Sequence, residues 1–205
     1  MINPGMDADI YDAFIEQLQR YVRERLIPAE DQLEELGRVP DDILAEMRDM
    51  GLFGVTMPEE YGGAGMNVSQ YVGFIRELAY ASPAYRSIVS INIGMVCKSL
   101  IGFGTDQQKA HWLPKLAAGS VAAFGLTEPG SGPGRAAVKA RAVQRGNEYV
   151  LNGTKRYITN APFADVILVM AHTNAEALPK NAHVSAFLVP RDAPGVSIGK
   201  PDGKM

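Results

Sequence analysis

The hydrophobic periodicity of this 205-residue chain changes once, near Gly119, and that change limits the folds open to it. Before it, apolar residues such as Phe14 and Leu18 recur every three or four positions, the spacing of one helix face. After it, apolar and polar residues alternate, which is typical of half-buried strands. Because helices precede strands rather than alternating with them, the pattern predicts an α+β fold. The predicted domains are an all-helical one over residues 1–119 and a β domain over residues 120–205.

Within the β domain, Asn152-Gly153 is the clearest turn signal. Alternating residues flank it, with Tyr149 and Leu151 on one side and Lys155 and Tyr157 on the other. Asn-Gly between alternating segments is typical of a two-residue hairpin turn, so the sequence predicts a hairpin here.

Charge and composition narrow the classes of partner. The net charge is −3 and no long basic run is present, which argues against a nucleic-acid partner. The single cysteine, Cys97, lies in an apolar segment and is interpreted as a core thiol in a reducing compartment. No run approaches the roughly 18 apolar residues of a membrane span, and the N-terminus lacks an apolar signal segment. We therefore expect a cytoplasmic protein without a membrane partner.

Two threonines in turns make the stretch from Ala123 to Asn160 the most informative part of the β domain. Thr127 opens a Thr-Glu-Pro turn before a glycine-rich loop, and Thr159 lies in a second turn further along the chain. Hydroxyls and loop amides held by a rigid sheet can bind the polar edge of a flat heteroaromatic cofactor. The pattern indicates a flavin-like site.

Five separated segments resemble the acyl-CoA dehydrogenase family, in the family's order. They are GLFGVTMPEEYGGAGMN, GTDQQKAHWLPKLAAG, AFGLTEP, NGTKRYITNA and PGVSIGKPDGKM. The resemblance implies an N-terminal helical domain, a middle β-barrel domain and a C-terminal four-helix bundle. We expect the bundle to be missing from these 205 residues.

The resemblance also implies a reaction and its partners. Family members use FAD to convert an acyl-CoA thioester to the trans-2-enoyl-CoA, pass electrons to an electron-transfer flavoprotein and assemble as homo-oligomers, typically homotetramers. Their catalytic glutamate lies beyond the middle domain, so no catalytic residue is expected here. Glu128, between Thr127 and Pro129, is interpreted as an acceptor that fixes a loop through backbone N–H groups.

By the same resemblance, cofactor contacts fall on two segments and the loop between them. Thr127 would donate to the pyrimidine edge of the isoalloxazine, and Thr159 would lie near N5. The implied cofactor-binding residues are Phe124, Leu126, Thr127, Gly132, Pro133, Tyr157, Ile158 and Thr159.

The glycine-rich loop departs from the family pattern TEPxAGSD. Pro133 stands at the serine position and offers neither a hydroxyl nor an N–H, which weakens the expectation of a phosphate or CoA contact there. Arg135, whose guanidinium can bind phosphate bidentately, and Ser131 are the alternative substrate-binding residues.

Arg86 is a lone charge near the start of a long apolar helical segment. A helical arginine so placed usually snorkels to solvent or pairs with an acid. Tyr85, Arg86 and Ser87 resemble the glutaryl-CoA dehydrogenase branch, in which this arginine binds the distal carboxylate of the acyl chain. Substrate binding and an internal ion pair therefore stand as two readings of Arg86.

Other classes of site find less support. His111, His172 and His183 lack the spacing and neighbours of a metal site, so no metal is expected. Two further hypotheses stay open: a flavin monooxygenase or oxidase of the same fold, and a partial non-catalytic subunit that needs a partner to complete its flavin pocket.

Overall fold

The structure is a computed structural model, and it describes residues 3–130, 138–173 and 183–201. The chain divides into two compact units, Met1–Ser120 and Val121–Met205. The described elements of the first are helical and those of the second are strands, so helices precede strands as the sequence predicted.

The helical unit contains α-helices extended in two places by π-helical turns. Its elements are α1 (Ala8–Tyr21, continued by a π turn Val22–Leu26), α2 (Glu30–Leu36), α3 (Asp41–Asp49), a 3₁₀ turn (Glu59–Tyr61), α4 (Val68–Leu78), α5 (Pro83–Ile91, continued by a π turn Asn92–Cys97), α6 (Lys98–Phe103) and α7 (Asp106–Ala117).

Capping boxes fix the start of two helices. The Asn67 side chain accepts from the backbone N–H of Gln70, whose own side chain accepts from Asn67 N, and α4 begins between them. Thr105 and Gln108 make the same reciprocal pair at α7. Each box satisfies two backbone donors that a helix start would otherwise leave unpaired.

Large side chains fill the core of the helical unit. Phe53, Phe74, Tyr85 and Leu113 are fully buried, and burial of each such side chain contributes about 1.5–3 kcal/mol. Cys97 is a free buried thiol, which confirms its interpretation as a core residue. Burial raises the pKa of this thiol to about 12, so it stays protonated at neutral pH.

One helical stretch, Pro83–Phe103, is long and apolar enough to cross a membrane by length and composition alone. The expectation that no apolar run approaches membrane length overlooked this stretch, in which Arg86 and Lys98 interrupt the apolar residues. Core helices of soluble proteins meet the same criterion, and Tyr85 and Val89 are fully buried within the unit. The stretch therefore carries no conclusion about a membrane.

The second unit is built on a mixed five-stranded sheet. Its strands are β1 (Ala122–Gly125), β2 (Arg141–Arg145), β3 (Glu148–Asn152), β4 (Val166–His172) and β5 (Val184–Pro190). β4 is central: it pairs with β5 in antiparallel fashion along its whole length. On its other edge it pairs with β1 at Val166–Val169 and with β2 at His172, both in parallel.

The prediction of a β-barrel is wrong for the described ranges, because their strands do not close into a barrel. β1 and β3 are the ends of the pairing path β1-β4-β2-β3, and no hydrogen-bonded ladder joins them. The described part of the unit is an open mixed sheet. Alternation of apolar and polar residues, which prompted the β prediction, reports on the faces of strands and not on whether a sheet closes.

The hairpin at Asn152-Gly153 is wrong as well. β3 pairs with β2, from Arg145↔Glu148 to Arg141↔Asn152, so the turn is Gly146-Asn147. Gly153 instead lies very close to the backbone of Ala140: a Cβ built on Gly153 would be 2.8 Å from Ala140 Cα. Glycine is required at this point because the backbone of a neighbouring segment leaves no room for a side chain.

Candidate functional site

The two threonine-containing segments meet side by side in the sheet unit. The first leaves the end of β1 and the second follows β3. Arg156 N donates to Thr127 O at 2.9 Å, and Lys155 Nζ donates to Leu126 O at 3.2 Å. Segments that are far apart in sequence thus adjoin at the surface of the unit, and Thr127 and Thr159 are both exposed.

A buried ion pair lies beneath this surface. Lys155 Nζ is 2.7 Å from Glu128 Oε1, and the two side chains are only 13% and 4% exposed. Glu128 also accepts from two backbone amides, Lys139 N at 2.6 Å and Ala140 N at 2.9 Å. The interpretation of Glu128 as a loop-fixing acceptor is confirmed.

The protonation state of Glu128 follows from these contacts. Burial by itself raises the pKa of its carboxyl, but the hydrogen bonds from Lys155, Ala140 and Lys139 outweigh burial and hold the pKa below its usual range. The group is therefore a carboxylate at neutral pH. Because its oxygens already accept from three donors, it is poorly placed to take a proton from a substrate.

The second segment has an unusual backbone. Tyr157 and Asn160 have φ angles of 57° and 70°, in the left-handed region. Asn tolerates this region, whereas for Tyr it costs about 1–3 kcal/mol. Asn160 is buried and its Nδ2 donates to Ala122 O at 3.0 Å, which ties the turn to β1. Left-handed residues of this kind concentrate at binding and catalytic sites.

Apolar contacts hold the turn from below. Ile158 packs against a buried cluster of Ala123, Ala164 and Ile167. Its neighbour Tyr157 is 62% exposed, and the Arg156 guanidinium lies 4.6 Å from the centre of its ring. The turn therefore presents an exposed aromatic ring and a hydroxyl on a rigid apolar base.

A groove of about 600 Å³ opens in the same unit. Its floor includes the β4 residues Ile167 and Val169, and Lys155 and Lys200 contribute to its lining. Tyr157 and Ile158 line this space, which has the size that small-molecule sites occupy, whereas Thr127 and Thr159 are not among its lining residues.

The structure places the predicted site residues unequally. Phe124, Leu126 and Ile158 are half-buried, and Thr127, Tyr157 and Thr159 are exposed. All six lie in the two adjoining segments. Ser131, Gly132, Pro133 and Arg135 lie outside the described residues.

Arg86 belongs to the helical unit, on α5, and is half-buried. Among the residues that the structure describes, no carboxylate lies within ion-pair distance of its guanidinium. Its positive charge acts on Tyr71, where burial raises the pKa of the phenol and Arg86 opposes that rise. The internal ion pair considered from the sequence is not found within these limits.

The histidines give no metal centre in the described ranges, which contain no cluster of three or more His, Cys, Asp or Glu side chains. The ring centroids of His172, on β4, and His183, the residue before β5, lie 6.5 Å apart.

Sequence reasoning missed two residues of this surface. Lys155 was interpreted as a strand residue beside a turn, and Asn160 only marked the end of a motif. A signal for Lys155 existed: a glutamate that fixes a loop is stabilised further by a cation when it is buried, and this lysine adjoins the second threonine motif. For Asn160, the residue type alone, which tolerates φ > 0, was the available hint.

Comparison with known proteins agrees with this architecture. Residues 9–120 match the model of the N-terminal domain of acyl-CoA dehydrogenases, and residues 123–205 match that of their middle domain. The acyl-CoA dehydrogenase of Bacillus subtilis (strain 168) is 34% identical over 90% of this chain and 48% of its own length. The 3-(aryl)acrylate reductase of Clostridium sporogenes is 36% identical over 90% of this chain and 49% of its own.

A solved structure shows the same fold. The glutaryl-CoA dehydrogenase of Mycobacterium smegmatis in complex with FADH2 superimposes with a TM-score of 0.86 at 33% identity, covering 98% of this chain and 50% of its own. The chain thus spans about half the length of the relatives it matches. With two domain models matched in order over most of its residues, the chain belongs to the acyl-CoA dehydrogenase family.

Proposed function

We propose that this protein binds FAD and takes part in the α,β-dehydrogenation of an acyl-CoA thioester, giving the trans-2-enoyl-CoA. The observation that carries the proposal is the junction of the Thr127 and Arg156 segments, each of which bears an exposed threonine, Thr127 and Thr159. Family membership supplies the reaction type, and the relative with bound FADH2 supports the choice of flavin.

The described residues suit a flavin edge. Thr127 and Thr159 offer hydroxyl donors, and half-buried Phe124, Leu126 and Ile158 offer apolar contact for a ring system. FAD, when bound, would accept the β-hydride. The chain's part is to hold donors where negative charge gathers on the reduced ring, at little reorganisation cost because the sheet fixes them in advance.

The α-proton requires a carboxylate base, and Glu128 does not suit that role because three donors already occupy it. We place the base outside the half of the family chain that is matched here. As further parts of the proposal, an electron-transfer flavoprotein accepts the electrons, and the protein is a cytoplasmic homo-oligomer.

Anaerobic titration of the naturally produced protein tests the proposal. We expect its visible spectrum to show bound FAD, which bleaches on addition of an acyl-CoA while the trans-2-enoyl-CoA appears. Slow reaction of the reduced flavin with O₂ separates a dehydrogenase from an oxidase or monooxygenase of the same fold. A protein without bound FAD, and unable to take it up, would contradict the proposal and favour the partner-dependent subunit.

The two hydroxyls have their own test. Thr127→Val and Thr159→Val each remove one donor of nearly unchanged shape, so each should shift the FAD spectrum and weaken the stabilisation of reduced flavin by roughly 0.5–1.5 kcal/mol. Midpoint potential and absorbance are the measurements. Thr105→Val, an exposed threonine of the helical unit that caps α7, is the control: loss of the cap should lower stability but leave the spectrum and the potential unchanged. Wild-type spectra and potentials in both test variants rule the assignment out.

A dicarboxylic acyl-CoA is the more specific substrate candidate. It is favoured by the half-buried Arg86, which lacks a carboxylate partner among the described residues, and by the likeness to a glutaryl-CoA dehydrogenase.

A further inference from the structure

The Lys155 ammonium group is buried to a degree unusual for lysine. Its side chain is 13% exposed, and Nζ donates to Glu128 Oε1 at 2.7 Å and to Leu126 O at 3.2 Å. Removal of a charge from water is costly unless partners replace its hydration. A carboxylate and a carbonyl together do so here, and both belong to the Leu126–Glu128 segment.

This ion pair joins three stretches of chain. Glu128 accepts from Lys139 N and Ala140 N, so the chain that leaves after Glu128 returns to the same carboxylate. On the other side of the pair, Arg156, next to Lys155, donates its N–H to Thr127 O. The start of the glycine-rich loop, its end and the start of the second threonine segment therefore meet at one buried contact.

We propose that Lys155 is a positioning residue for the flavin edge: through Glu128 and Leu126 O it sets the placement of the Thr127 and Thr159 segments relative to each other. The proposal rests on the proposed FAD site. Replacement of a buried ion pair by apolar residues is often neutral for stability, so packing does not require charges here. A pair with several directional bonds fixes geometry, as a site for a rigid ring demands.

Lys155→Met in the naturally produced protein tests this inference, with Lys139→Met as the matched control. Both remove one lysine charge from a residue that contacts Glu128, but exposed Lys139 contributes only its backbone N–H, which the substitution keeps. For Lys155→Met we expect a shifted FAD absorbance maximum and an FAD dissociation constant about tenfold higher, as when one charge-assisted hydrogen bond is lost. Lys139→Met should match the wild type.

Amide hydrogen exchange of the apoprotein supplies a readout without cofactor. In Lys155→Met the amides of Ala140 and Arg156 should lose protection, because the bonds they make depend on the placed carboxylate and segment. If Lys155→Met fails to fold, Glu128→Gln serves instead. Its shape is nearly the same but it has one acceptor oxygen, and we expect smaller changes in the same direction.

The outcomes separate this inference from the proposed function. If the wild type binds no FAD, the proposed function fails. If the wild type binds FAD and the variant merely melts at a lower temperature, with the spectrum, FAD affinity and exchange of its folded form unchanged, Lys155 is only structural and the inference is overturned. Changed spectrum and affinity in Lys155→Met but not in Lys139→Met support it.

Discussion

Glu128→Ala should lower the free energy of unfolding by about 3–5 kcal/mol, because it leaves the charge of a buried lysine without its carboxylate partner. Lys155 would keep its ammonium group in an almost dry position with only the Leu126 carbonyl as partner. Lys139 N and Ala140 N would lose their acceptor at the same time. Urea denaturation followed by circular dichroism measures the difference.

The control for this change is Glu148→Ala. Glu148 is exposed on β3, and the substitution removes the same type of side chain from the same unit. Its effect should stay within about 0.5 kcal/mol, as at most surface positions. Equal effects in the two variants would show that the buried pair contributes no more than a surface carboxylate.

The lowered pKa of Glu128 gives stability a pH dependence. A carboxyl whose pKa is lower in the folded than in the unfolded state contributes stability above its unfolded value, and loses it as pH falls through the folded value. The ordinary value is 4.5. The stability difference between wild type and Glu128→Gln should therefore be full at neutral pH and shrink as pH falls below 4.5. A difference that is constant down to acid unfolding would contradict the lowered pKa.

Local chemistry explains which parts of the fold were predictable. Helix starts depend on hydrogen bonds between residues close in sequence. The capping residue Thr105 therefore marks the start of α7 in the sequence itself. The hairpin failed for the opposite reason. Asn152-Gly153 has the residues of a tight turn, but its glycine is set by the approach of Ala140, which lies in another segment. Gly146-Asn147 carried a weaker form of the same signal and makes the turn.

The candidate site divides in the same way. Thr127 and Thr159 could be proposed from the sequence because their motifs are local and specific. Lys155 and Asn160 act through Glu128 and through Ala122 O, partners distant in sequence, so only the assembled sheet reveals their roles. Sheet closure is a further long-range property, and alternation along each strand contains no information about it.

Arg86→Leu should separate dicarboxylic from plain acyl-CoA substrates. A half-buried guanidinium needs an anion, and no carboxylate of the described residues lies within ion-pair distance of it. If the distal carboxylate of the substrate is that anion, the variant should lower kcat/KM more for a dicarboxylyl-CoA than for a plain acyl-CoA of equal length. The difference in lost transition-state stabilisation should be about 1.5–3 kcal/mol. Steady-state kinetics on the matched substrate pair give this difference directly.

Arg20→Leu is the control, since Arg20 is an exposed arginine of the same helical unit and its loss should affect neither substrate selectively. If Arg86 instead pairs with an acidic residue of the protein, we expect no difference between the two substrates. Were Arg86 held by an acid of the protein, its removal would leave that acid unpaired, lower the melting temperature and slow both substrates equally. Because charge loss alone is common to both arginine variants, only the ratio of the two kcat/KM values, compared between Arg86→Leu and Arg20→Leu, reports on a carboxylate bound to Arg86.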